Sequence, residues 1–230
     1  MSRTWSVEAV AATRSALLPL ANPERAAPMT AYMKDVAPFL GIAAPVRRRV
    51  LREAWRGLGA PSSADLGTAA QHLMAERERE FHYAAYDLID RYRRVADEAF
   101  LDTYMTELLT AKPWWDTVDG LVSAAVSPLC RRYHAGELID GWSESGDRWL
   151  IRAAIGHQRG WKADTDVSRV LQLCDRHWPG REFFVAKAIG WAMRDLARLD
   201  PQAVRGFVET HSTSNRVALR EVERVFAAGP

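Results

Sequence analysis

The stretch TDVSRVLQLCDRHW, from Thr165 to Trp178, decides the fold class of this chain. Its apolar residues recur at the spacing of an amphipathic helix, and it opens on a residue type that caps helices. A second stretch, DEAFLDTYMTELL from Asp97 to Leu109, is organised in the same way. Helical spacing dominates along the chain, and the alternation typical of strands is absent. The sequence therefore predicts an all-α protein.

The predicted helices are short, and several of them start or end at proline. They are placed at 5–20, 29–36, 45–58, 64–75, 80–95, 97–110, 113–130, 133–142, 146–159, 165–177, 181–199, 201–211 and 213–228. Short turns and an even composition give no sign of a second domain, so residues 1–230 are expected to form one. Many short helices joined by brief turns indicate stacked helical pairs, a solenoid of the HEAT kind, although no sequence period is visible.

Composition narrows the class of protein. With 230 residues, 48% of them hydrophobic, the chain can build a substantial core, and its net charge of +2 makes any nucleic-acid surface depend on clustered charge. Two cysteines and six scattered histidines predict neither a disulfide framework nor a metal site. The longest apolar runs are too short to span a membrane and no secretory signal is recognised, so a reducing cytoplasm is expected.

The stretch KPWWDTVDG, which begins at Lys112, mixes tryptophan with aspartate in one predicted helix. On a helical wheel Trp115 and Asp119 are neighbours one turn apart, at the edge of an apolar stripe. Either Asp119 complements the helix dipole while Trp115 packs at a rim, or both face a positively charged ligand. Asp116 lies well round the helix and is predicted to be structural.

The stretch REFFVAKAIGWAMRDL places Trp191 away from the apolar face of its helix, among charged residues that include Lys187 and Arg194. An exposed tryptophan ringed by charges is unusual for a core residue. Contact with an adjacent helix is one interpretation of Trp191, and contact with a ligand is the other.

The stretch DRWLIRAAIGHQRG aligns Arg148, Arg152, Gly156 and Arg159 along one stripe. Like charges one turn apart repel each other unless an anion lies between them. The stripe is therefore either a solvated basic face or a phosphate-binding surface on which Gly156 allows close approach. The basic cluster 47–49 admits the same two interpretations.

Four stretches, taken in order, resemble the AlkD family of bacterial DNA alkylation-repair glycosylases. They are YMKDVAPFLGIAAPVRRRVL, KPWWDTVDGLV, RWLIRAAIGHQRGWKADTD and REFFVAKAIGWAMRDL, which lie between Tyr32 and Leu196, and the resemblance runs to about Arg216. The resemblance implies a right-handed, C-shaped solenoid of HEAT-like repeats whose basic concave face holds duplex DNA. It also implies a monomeric bacterial enzyme of base excision repair that hydrolyses the N-glycosidic bond of cationic N3- and N7-alkylated purines, without metal or cofactor.

The resemblance assigns roles to individual residues. The family's catalytic aspartate corresponds to Asp119, its two cleft tryptophans to Trp115 and Trp191, and its cleft arginine to Arg152. We expect further contacts with DNA at Tyr32, Arg47, Arg148, Arg159, Lys187 and Arg194. One position departs from the family: Ala43 stands where a polar, glutamine-like residue is expected after FLGI, which puts a minor DNA contact in doubt.

Two other functions are considered. A catalytically silent HEAT-type scaffold would bind DNA or protein, but binding alone does not require a carboxylate that faces DNA. A base-flipping glycosylase would carry a helix-hairpin-helix motif, which is not recognised in the sequence. Nucleotide-binding glycine loops and Ser/Cys–His motifs are likewise not recognised, so phosphoryl transfer and triad hydrolysis are not expected.

Overall fold

The computed structural model describes residues 4–211 and 215–227, and within them it contains helices and turns but no strand. This confirms the predicted all-α class. The chain divides into two compact units, Met1–Ala125 and Val126–Pro230. That residues 1–230 act as a single domain stays a prediction.

The first unit is a double layer of helices. Its helices are α1 (Trp5–Leu17), α2 (Pro23–Tyr32), α3 (Ala44–Ala54), α4 (Ser63–Ala75), α5 (Arg79–Tyr92), α6 (Glu98–Phe100), α7 (Thr106–Ala111) and α8 (Trp115–Leu121), with a π turn, Leu101–Met105, between α6 and α7. Helices α1, α4 and α7 contact one another in sequence, as do α3, α5 and α8, and α1 with α3, α4 with α5 and α7 with α8 form pairs. Stacked pairs of this kind are the predicted architecture.

The second unit repeats this organisation. A π turn, Val122–Val126, precedes α9 (Ser127–Tyr133), α10 (Gly136–Glu144), α11 (Arg148–Ile155), α12 (Val167–His177), α13 (Phe183–Leu196), α14 (Pro201–Thr210) and α15 (Arg216–Ala227). Helices α11, α13 and α15 pack in succession. Helix α10 contacts α11, and helices α12 and α14 both contact α13. Of the predicted helix 213–228, residues 213, 214 and 228 lie outside the described residues.

The repeat that the sequence hides is visible in the spacing of side-chain contacts. Tyr83 bonds to Asp116, 33 residues further on, and Lys187 bonds to Glu221, 34 residues further on. Within each unit, contacts about one repeat apart therefore link neighbouring helices of one layer. No sequence period accompanies them because different residue types make the contact at each step.

Helix α2 is the main correction to the predicted boundaries. It was predicted at 29–36 and is observed at Pro23–Tyr32. The side chain of Asn22 caps its start, and Pro28, the residue just before the predicted start, lies inside the helix. The helix ends before Lys34, whose φ of 60° is left-handed and interrupts helical geometry.

Two buried histidines predict how stability depends on pH. Burial lowers the pKa of His82 and of His157 to about 4. A folded-state pKa below the unfolded value of about 6.5 means that the unfolded chain binds more protons between these pH values. The contribution of the two neutral histidines to the free energy of unfolding is therefore complete above pH 6.5. It decreases as the pH falls towards 4, by about 1.4 kcal/mol per pH unit for each histidine.

Urea unfolding followed between pH 7 and pH 4 measures this loss. The variant His157→Gln is the control, because it removes one titrating group and is expected to flatten the pH dependence of the second unit. An identical pH dependence in wild type and variant would show that His157 does not contribute to the acid sensitivity.

Candidate functional site

Helix α8 presents Trp115 and Asp119 one turn apart, and both side chains are half-buried. The apolar stripe predicted beside them is confirmed, since Val118 and Leu121 are fully buried. One face of α8 is thus fixed in the core of the first unit. Trp115 and Asp119 occupy the border between that core and the surface.

The start of α8 is held by a buried polar cluster, here called the Asp116 network and made of Arg79, Tyr83 and Asp116. Arg79 is only 1% exposed. Its side chain donates from Nε and Nη2 to the two carboxylate oxygens of Asp116, at 3.1 and 2.5 Å. The Tyr83 hydroxyl donates to the same carboxylate at 2.5 Å. The prediction that Asp116 is structural is confirmed. Sequence reasoning missed Arg79, because it stands in the charge run ERERE, which is typical of a solvated surface.

Helix α5 also approaches α8 closely at Gly120. A Cβ atom at Gly120 would lie 2.5 Å from the ring of Tyr86, so a larger residue there would displace the tyrosine. The rings of Tyr83 and Tyr86 lie 5.7 Å apart, and burial raises the pKa of Tyr86 to about 12. Tyr86 therefore packs as a neutral side chain against α8 at Gly120, the residue after Asp119.

In the second unit the structure brings Arg152, Arg159 and Trp191 together. The Arg152 and Arg159 guanidinium carbons lie 4.8 and 5.5 Å from the centroid of the Trp191 ring. Arg152 is 3% exposed and donates from Nη1 to the carbonyl oxygen of Phe184 at 2.6 Å. Arg152 is thus no part of a solvated face, and Trp191 contacts the neighbouring helix, as one interpretation of its position predicted.

A cavity of about 320 Å³ opens beside this group and is here called the Trp191 cavity. Its basic lining residues are Arg152, Arg159, Lys162 and Arg198, its acidic lining residue is Asp195, and its apolar lining residues include Ile155, Ala188, Trp191 and Leu196. Four cations facing one carboxylate make the wall electropositive. Such a concave basic wall concentrates anions.

Glu221 organises the basic residues of α13. Its buried carboxylate accepts a hydrogen bond from Lys187 Nζ at 2.7 Å and one from Arg224 at 3.1 Å, and Arg194 lies 3.9 Å away. The bond from Lys187 is the main reason why the pKa of Glu221 lies below its usual value. Helix α15 can come this close because Gly190 has no Cβ atom. A Cβ there would lie only 2.8 Å from Glu221 Cγ. The sequence REVERV gave no sign that this glutamate is buried.

Arg47 is predicted to contact DNA, but in the structure it lies in the interior of the first unit. It is 2% exposed, donates from Nε and Nη2 to Asp87 at 3.2 Å, and lies 4.7 Å from the Tyr83 ring centroid. Its charge is matched inside the first unit, so its role is structural. Arg48, whose side chain is exposed, lies 3.7 Å from Asp87, and Arg49 is exposed as well.

Two further predicted DNA contacts, Tyr32 and Arg148, are exposed, whereas Arg159, Lys187 and Arg194 are half-buried. Tyr32 at the end of α2 is 74% exposed, which is unusual for so large an aromatic residue. The exposed side chain of Arg148 lies 3.5 Å from Glu182 and 5.2 Å from the ring of Trp149. Ala43, at the position that departs from the family, is exposed.

Cys130 and Cys174 are buried free thiols. Across 4–211 and 215–227, no three His, Cys, Asp or Glu side chains are grouped so that they could bind a metal ion. Over the same ranges, no helix has both the length and the hydrophobicity that crossing a membrane requires.

Comparison with known proteins links the chain to DNA repair. The model of a family described as DNA alkylation repair enzyme matches residues 13–224, which include the four residues assigned to catalysis. A solved structure from Enterococcus faecalis, described as a predicted DNA alkylation repair enzyme, has 25% sequence identity and a TM-score of 0.81, and the match covers 90% of this chain and 96% of that chain. No curated protein sequence matches the chain significantly.

Proposed function

The chain belongs to the family of DNA alkylation repair enzymes, and we propose that it is a DNA glycosylase that excises cationic N3- and N7-alkylated purines from duplex DNA. Its substrates would include 3-methyladenine and 7-methylguanine. The observation that carries the proposal is the pair Trp115 and Asp119, an aromatic residue and a carboxylate one turn apart on a helix whose start is anchored by the Asp116 network. Such a pair suits a reaction that develops positive charge on its substrate.

The proposed reaction begins with a base that is already a good leaving group. Alkylation at N3 or N7 leaves the purine positively charged, so the base departs as a neutral molecule with the bonding electron pair and needs no general acid. The C1′ carbon of the deoxyribose then carries the positive charge. The Asp119 carboxylate stabilises this charge and positions the water that attacks C1′, and the proton released from the water passes to solvent.

Trp115 and Trp191 would offer their ring faces to the cationic sugar. Arg152 would bind a phosphate that flanks the lesion, and its bond to the Phe184 carbonyl restricts its orientation. Tyr32, Arg148, Arg159, Lys187 and Arg194 would bind the DNA backbone.

We propose that residues 1–230 act as a single domain. It would act as a monomer on duplex DNA in the bacterial cytoplasm. No cofactor is required by the chemistry, since the leaving group is activated by its own charge.

Incubation of the purified protein with methylated duplex DNA tests the proposal. Chromatography of the supernatant is expected to show free 3-methyladenine and 7-methylguanine, with an equal number of abasic sites in the DNA. An Asp119→Asn preparation purified in parallel controls for contaminating host glycosylases. Tight binding to DNA without release of any base would instead favour the catalytically silent scaffold.

Arg152→Ala is expected to lower the rate of excision by about tenfold and to reduce the slope of log Kd against log salt by about 1, because one phosphate contact is lost. Single-turnover excision and salt titration of binding measure the two effects. Arg176→Ala is the matched control, since Arg176 on α12 pairs with Glu144 at 3.0 Å and has no assigned DNA contact. An unchanged slope together with full activity would show that Arg152 does not contact DNA.

A further inference from the structure

We infer that Arg79 and Tyr83 are positioning residues for the proposed excision step, which they serve by fixing Asp116 and hence the aim of Asp119 and Trp115. The inference rests on the proposed function. Neither residue was singled out in the sequence. Both lie on α5, the neighbour of α8 in its layer.

Arg79 ties together the residues on either side of Trp115. Besides the two bonds to Asp116, its Nη1 donates to the Lys112 carbonyl oxygen at 3.1 Å and its Nη2 to Thr117 Oγ1 at 3.2 Å. Thr117 Oγ1 in turn donates to the same Lys112 carbonyl at 3.0 Å. A planar guanidinium with fixed donor directions therefore sets both the turn before α8 and its first residues.

Tyr83 supplies the second constraint on Asp116. Burial first, and the neighbouring Asp116 carboxylate next, raise the pKa of Tyr83 far above its usual value, so its hydroxyl remains a donor throughout the working pH range. The Arg47 guanidinium, ion-paired to Asp87, lies against the Tyr83 ring and holds the ring in place. The Asp116 carboxylate thus receives three bonds from α5, two from Arg79 and one from Tyr83.

Helical geometry transmits this constraint to the reacting group. Asp119 lies three residues after Asp116, about 4.5 Å along the helix axis, and Trp115 directly precedes Asp116. A rotation of α8 by about 10° would move a carboxylate roughly 6 Å from the helix axis by about 1 Å. Displacements of that size can lower a reaction rate by on the order of a hundredfold.

A buried ion pair adds little stability compared with apolar side chains of the same volume, so stability alone does not account for the Asp116 network. The bidentate pairing of Arg79 with Asp116 is the arrangement expected if the network serves to fix the orientation of these side chains. Removal of Arg79 would leave the Asp116 carboxylate buried without its cation and would threaten folding. Tyr83→Phe removes only one hydroxyl and is the informative variant.

The experiment compares Tyr83→Phe with Tyr92→Phe. Tyr92 lies on the same helix, and its hydroxyl donates to the Trp55 carbonyl oxygen at 3.2 Å, so both variants lose one hydroxyl hydrogen bond. We expect Tyr83→Phe to lower the single-turnover rate of 7-methylguanine release by about tenfold, with the Kd for duplex DNA within about twofold of wild type. Tyr92→Phe is expected to retain the wild-type rate. Hydrogen exchange of the backbone amides in α8 should accelerate in Tyr83→Phe alone.

Equal rates in the two variants would overturn the inference, as would a Tyr83→Phe defect confined to DNA binding. If the wild-type protein releases no base, the proposed function fails, and the amide exchange of α8 decides separately whether Tyr83 fixes this helix. Unchanged exchange in Tyr83→Phe would then refute the positioning role as well.

Discussion

Asp119→Asn is expected to lower base excision roughly a thousandfold while leaving the fold and the affinity for DNA unchanged. A carboxylate about 4 Å from a developing cation contributes on the order of 4 kcal/mol at an effective dielectric constant near 20. That energy corresponds to about three orders of magnitude in rate. Asparagine has the shape of aspartate, and the anchoring of α8 through Asp116 does not involve Asp119. Single-turnover release of 7-methylguanine is the measurement.

Asp90→Asn is the matched control for this variant. Asp90 is exposed on α5 of the same unit and pairs only at the surface with Arg93, so its neutralisation changes the net charge by the same amount. We expect the control to excise at the wild-type rate. Near-wild-type release by Asp119→Asn would remove Asp119 from the mechanism.

The range of lesions is expected to follow the charge of the base. Cationic 3-methyladenine and 7-methylguanine should be released, whereas neutral uracil, hypoxanthine and ethenoadenine should not. The proposed catalytic group supplies an anion, aromatic faces and a phosphate-binding arginine, but no acid to protonate a departing base. General acids contribute typically 10² to 10⁴ in rate, and neutral bases should be slower by at least that order.

A set of duplexes that differ only in the lesion tests this expectation, with abasic sites scored at matched protein excess. The undamaged duplex measures the background. Bulky cationic adducts are expected to be released too, because a mechanism centred on the sugar does not require the base to fit a pocket. Efficient release of hypoxanthine would contradict the mechanism and favour a pocket that grips a flipped base.

Local patterns in the sequence predicted what depends on local structure. The apolar stripe of α8 and the helical class follow from residue spacing within single helices, the stacked pairs follow from short helices joined by brief turns, and all three are confirmed. The helix boundary at α2 did not follow, because Pro28 occupies a helical position that its sequence context disfavours.

Burial of charged residues was not predictable, because neighbours a full repeat away decide it. Glu80 belongs to the charge run ERERE, yet it is fully buried and accepts the backbone N–H groups of Leu40, Gly41 and Ile42 at 2.8 to 3.0 Å. The same run contains Arg79, which is equally buried. In a linear sequence such a run is indistinguishable from a solvated face.

Glu221 has a consequence for the way in which this protein would respond to salt. A carboxylate fixed among Lys187, Arg194 and Arg224 is a counterion that belongs to the protein. If Lys187 and Arg194 bind phosphates as proposed, fewer ions are released from the DNA atmosphere than their number suggests, because part of their charge is already balanced. Affinity for DNA should therefore fall less steeply with ionic strength than a count of basic side chains implies.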